Sequence, residues 1–137
     1  MITLHILEWL KQNGVGTEID KDLFFEKLPI DKTGIAIFSL GGSQAFGRNS
    51  IVQQFDLYSR GVDDVAGYVT LETIRELLAD SYGKVCELPT VPEYTQNVYS
   101  NVRFMAIDNV ENIGVDENER VVYRMSSQVI YNKGETI

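Results

Sequence analysis

The chain is poor in the residues that carry most protein chemistry: one cysteine and one histidine in 137 residues, and twelve basic side chains against twenty acidic ones. A single thiol, Cys86, excludes an internal disulfide and any multi-cysteine metal site, and a reducing compartment is its natural setting. It stands in the apolar stretch KVCEL, which reads as a short strand, and there it behaves as a small buried hydrophobe. His5 lies near the start of the first predicted helix and reads as a satisfied or surface residue rather than a base or ligand. The shortage of Lys and Arg leaves a net charge of -8, with no basic cluster of the kind that neutralises nucleic-acid phosphates. Such a balance serves solubility, and it also suits a channel wall along which DNA slides without sticking. No apolar run is long enough to cross a bilayer. Met1 to Leu10 has no basic leader region, sustained apolar core or small-residue cleavage site, so it is expected to be a helix and not a signal sequence.

What is present is pattern. The hydrophobic share of 44% and the length predict one domain over residues 1–137, burying about two thirds of the chain's surface on folding. Between Ser50 and Asp80 the hydrophobic period switches from two to 3.6. Ile51, Phe55 and Leu57 fall on one face of a strand, and Val52, Gln54, Asp56 and Tyr58 on the other. Arg60-Gly61 breaks the run, Asp63 or Asp64 caps a helix, and Gly67, Leu71, Ile74 and Leu78 form its buried stripe, widened by Leu77. Ile2, Ile6, Leu7 and Leu10 share a face of the first helix, with Thr3 as its candidate cap and Asn13-Gly14 as its stop. Strands are expected at Leu23–Glu26, Ile35–Leu40 and Val85–Leu88. Two long ones follow, the first alternating at Val102, Phe104, Ala106 and Val110, the second at Val121, Tyr123, Met125, Val129 and Tyr131. Asp116–Glu119 is the hairpin tip between them, and Pro89 to Ser100 reads as an extended arm or irregular loop.

Three apparent motifs fail on their chemistry. Gly42 to Gly47 has phosphate-loop spacing, but Arg48 and Asn49 stand where Lys and Ser/Thr belong, and a strand follows instead of a helix. Gly41 to Ala45 imitates a nucleophile elbow, yet no histidine occurs later in the chain. The acidic tip at Asp116–Glu119 lacks the glycine and terminal bidentate carboxylate of a helix-loop-helix calcium site. No catalytic residue, cofactor or metal is therefore expected, and the chain is read as a non-enzyme that works by its surfaces.

The helix HILEWLKQNGVG, the strand GIAIFSLGG running into a glycine-rich loop, the block IVQQFDLYSRGVDDVAGYVTLETIRELLA and the hairpin ENIGVDENERVVYRMSSQVIY together resemble the tail-terminator, or tail-completion, proteins of long-tailed bacteriophages. These are often labelled minor capsid proteins. The resemblance implies a mixed α+β fold, with two helices packed on one face of a curved, mostly antiparallel sheet. It further implies a homo-oligomeric ring, expected to be a hexamer, that caps the tail tube at the neck of the virion after assembly in the bacterial cytoplasm. Its partners would be other copies of itself, the tail-tube protein and the head-tail connector. DNA would pass through the lumen without sequence-specific binding, and no membrane is involved. The expected interface residues are Phe46 and Arg48 in the glycine-rich loop and Val91, Tyr94 and Tyr99 in the arm. A competing expectation is a non-catalytic accessory or small-ligand-binding subunit of a cytoplasmic enzyme, its pocket between the sheet and the second helix.

Overall fold

A computed structural model of the chain describes residues 2–44, 50–89, 91 and 99–133. The elements are α1 (Ile2–Gln12), β1 (Leu23–Phe25), β2 (Gly34–Gln44), β3 (Ser50–Arg60), α2 (Ala66–Asp80), β4 (Tyr99–Met105), β5 (Glu111–Val115) and β6 (Val121–Lys133). All six strands join in one open sheet in the order β1-β2-β3-β6-β4, with β5 also paired to β6. Only the β1–β2 pair is parallel. With both helices packed against the sheet, this is an α+β fold, as expected.

Register explains which face is buried. Ile37 lies opposite Leu57, which lies opposite Met125, and because side chains alternate along a strand these three fall on the same face. Ile2, Ile6, Leu7 and Leu10 of α1 and Leu71, Ile74 and Leu78 of α2 cover that face in one continuous core. Trp9 packs 5.0 Å from Phe104, centroid to centroid, and Phe104 meets Phe55 edge-on at 6.3 Å. Removing Leu71, Ile74 and Leu78 from water contributes about 5–9 kcal/mol before conformational entropy is counted.

The helix ends follow local chemistry. Gly14 at φ +86° stops α1, where the Val15 amide donates to the Leu10 carbonyl at 2.9 Å. Thr3 does not cap that helix: its hydroxyl is buried and pairs with the Ser39 hydroxyl at 2.9 Å, tying α1 to β2. Of the two aspartates ahead of α2, neither is the N-cap residue, which is Val65, but Asp63 satisfies the first amides, accepting from Val65 and Ala66 at 2.9 and 2.8 Å. The Asp64 carbonyl instead accepts the Tyr123 hydroxyl at 2.5 Å. Gly61 and Gly67 let the turn close onto the helix, since a Cβ on Gly61 would sit 2.6 Å from the Gly67 nitrogen and from the Ala66 Cβ.

Two expected strands are altered. The strand expected from Val102 to Val110 stops at Met105, because Ala106 turns to φ +48° and the chain leaves the ladder. It rejoins the same edge of β6 as β5, held between by the Asp108 amide donating to Ser126 at 3.0 Å. Val85–Leu88 is not a strand: it touches β4 through the single bridge Cys86↔Val102. The glycine-rich connection is also shorter than expected, since Gly41 to Gln44 continue β2.

Candidate functional site

The expected interface residues part company. Phe46, Arg48 and Tyr94 lie outside the described residues. Val91 is 7% exposed and belongs to the core, so it offers no apolar surface to a neighbour. Tyr99 is half-buried, wedged edge-on between His5 and Tyr131 at centroid distances of 5.1 Å on each side. Burial and the neighbouring Tyr131 raise the pKa of its hydroxyl. His5 is 2% exposed rather than on the surface. Its Nδ1 lies 3.0 Å from the Pro89 carbonyl, which can only accept, so Nδ1 carries the proton. The Nε2 atom has no partner among the described residues. His5 thus ties the Pro89 backbone to α1, and Tyr99 packs on the same histidine.

The exposed apolar surface is elsewhere. Six of the ten large hydrophobic side chains exposed among the described residues are Val62, Val65, Tyr68, Val69, Tyr82 and Val85, all on α2 or its flanks. Val65, Tyr68 and Val69 follow helical spacing on the side of α2 facing away from the Leu71–Ile74–Leu78 stripe. This second stripe is legible in the sequence, but it is shorter than the regular core stripe beside it. Val62 is the most exposed of the ten, at 79%, and stands beside Asp63 and Asp64.

At the strand ends a polar knot ties the sheet to the 26–33 loop. Arg60 is 4% exposed. Its Nε and Nη2 donate to the Lys32 carbonyl at 3.1 and 2.9 Å, Nη2 also donates to the Pro29 carbonyl, and Nη1 lies 3.1 Å from the Asp116 carboxylate. Arg120 adds bonds to the Ile30 carbonyl at 2.9 Å and the Thr33 hydroxyl at 3.3 Å. The Asp116–Glu119 tip therefore works as a clamp on the 26–33 loop. The Arg120 amide is the main reason the Asp116 carboxyl is held below its usual pKa.

Recesses flank these features. One of about 250 Å³ lies between the sheet and the start of α2, lined by Asp22, Thr33, Ser59, Arg60 and Thr70. Another, of about 460 Å³, opens beside Gly83 on the uncovered face of β4 and β6, lined by Ser50, Asn101, Arg103, Met105, Ile130 and Asn132. Neither brings together a nucleophile, a base and an orienting group. Ser43 of the elbow-like stretch sits within β2 opposite Val52, not on a strand-to-helix turn. Among the described residues no three His, Cys, Asp or Glu side chains cluster as metal ligands. No family model matches the chain, and no curated protein matches it.

Proposed function

We propose that this protein is a structural subunit that caps a bacteriophage tail tube as a ring and forms the surface on which the head-tail connector docks. The observation that carries the reading is the concentration of exposed apolar side chains on α2 and its flanks, on a helix whose core stripe is already fully used. A soluble domain exposes such a cluster where a partner covers it. The logic of assembly supplies the rest. Tube rings stack through contacts that propagate unless a subunit presents one matching face and one different face. A small domain with one sheet and two distinct surfaces suits that task, and its acidity would keep the passing DNA from adhering.

Deleting the gene from the encoding phage tests this. Electron micrographs should show filled heads beside unattached tails, some abnormally long. Normal-length tails joined to heads would eliminate the role, and empty heads without tails would move it upstream to capsid or tube assembly. The recess between the sheet and α2 favours a second reading, a small-ligand-binding subunit. Mass spectrometry of the natively purified protein separates the two, because a co-purifying metabolite in stoichiometric amount belongs only to the second.

A further inference from the structure

The turn before α2 and the recess beside Gly83 are complementary in three respects. The first is shape. Val62 to Val65 forms a projecting corner in which all four residues are exposed, whereas the recess is a hollow of about 460 Å³. The second is polarity. Val62 and Val65 are apolar, and the recess has Met105 and Ile130 among its lining. Asn101, Arg103 and Asn132 supply its polar part. The third is charge. The corner carries Asp63 and Asp64, and Arg103 makes no ion pair among the described residues. The Asp63 carboxylate is committed to the Val65 and Ala66 amides, and Asp64, held through its backbone carbonyl by Tyr123, is exposed and leaves its carboxylate free for a neighbour. Exposed Lys84 also lies near the recess, although exposed Glu87 follows it, so Arg103 is the cation on which the match depends.

The two features belong to different ends of α2: the corner precedes its first turn, and Gly83 follows its last. One copy cannot close its own corner into its own recess across a fifteen-residue helix about 22 Å long. We infer that the occupant of the recess is the Val62–Val65 corner of a second copy, with Asp64 of one chain paired to Arg103 of the next. Such a contact is head-to-tail and repeats from copy to copy, so it closes into a ring when the rotation per copy allows. This assignment rests on the ring reading and names the lateral surface that the ring would use. It also replaces the core residue Val91 with side chains that are exposed.

A charge exchange tests it. Asp64→Arg would set arginine against arginine at every contact, and Arg103→Asp would set aspartate against aspartate. Each variant alone should lose at least tenfold in self-association, followed by sedimentation with and without tail tubes purified from the encoding phage. An equimolar mixture should recover. In alternating copies, the arginine introduced in one variant meets the aspartate introduced in the other, and at the next contact the native Asp64 meets the native Arg103. A second measurement is independent of charge. In a Cys86→Ser background, Val62→Cys copies mixed with Ser50→Cys copies should be joined by a short bismaleimide into dimers, and neither should form them alone. If both charge variants assemble as the parent does, or if the cysteine pair fails to join in an assembled sample, the corner-in-recess contact is overturned and the ring reading stands. If the parent chain stays monomeric even with tubes present, both fall.

Discussion

Single side chains do separable jobs here, and their substitutions should read differently. Leu71 and Ile74 are fully buried between α2 and the sheet, so replacing either with Ala should cost about 2–5 kcal/mol in a denaturant titration. A loss below about half a kcal/mol would place the stripe on the surface. Asp22, Asp63 and Asp116 all have carboxyls held below their usual pKa. At Asp22 burial opposes ionisation, but the Glu18 and Thr17 amides, the Thr17 hydroxyl and Lys21 outweigh it. At Asp63 the Val65 and Ala66 amides dominate. A depressed folded-state pKa gives stability that is complete above the unfolded value and lost as pH falls through the folded one. Urea midpoints should therefore hold steady from pH 7 down to about pH 4 and then decline. Asp22→Asn should lower the neutral midpoint and flatten that decline, and an unchanged acid limb would count against the Asp22 turn. Arg60 shows what single positions conceal: it reads as a strand terminator, yet it is a buried clamp. Two of its partners are the carbonyls of Pro29 and Lys32, which no side-chain pattern advertises.

At the scale of elements, the sequence was legible wherever burial is one-sided. The alternation of Phe55 and Leu57 and the stripe Gly67–Leu71–Ile74–Leu78 appear in the structure as read, because each period has one stable placement against a core. Legibility failed where the backbone departs from its period. Ala106 is an ordinary strand-compatible residue whose positive φ is imposed by the route of the chain and has no glycine to announce it. The segment near Cys86 has the composition of a strand but lies along β4 with only isolated bridges. The exposed apolar side chains were not singled out for a related reason: loops were expected to carry contact residues, and among the described residues six of the ten exposed large hydrophobics lie on a helix and its flanks. The seam between β3 and α2 yields its own prediction. Gly61→Ala drives a methyl group into the Gly67 backbone and should cost about 1–3 kcal/mol, with amide exchange accelerated first in the opening turn of α2. Faster exchange confined to α1 would contradict that seam.

For the whole molecule, a net charge of -8 predicts weak binding to duplex DNA at physiological salt, measurable by fluorescence anisotropy. Submicromolar affinity would contradict the acidic-channel account. The topology carries a further consequence. β6 pairs with the whole length of β3 on one side and with β4 and β5 on the other, so it is the strand on which the sheet is assembled. It is also synthesised after every strand it touches. While the nascent chain lacks it, β3 has a bare edge, and β4 and β5 have no partner in the sheet. The fold is therefore gated by translation. A chain cut short before Val121 cannot form this sheet, and its open edges expose it to proteases. If copies of this chain assemble as proposed, that order of synthesis would keep unfinished ones from being built in.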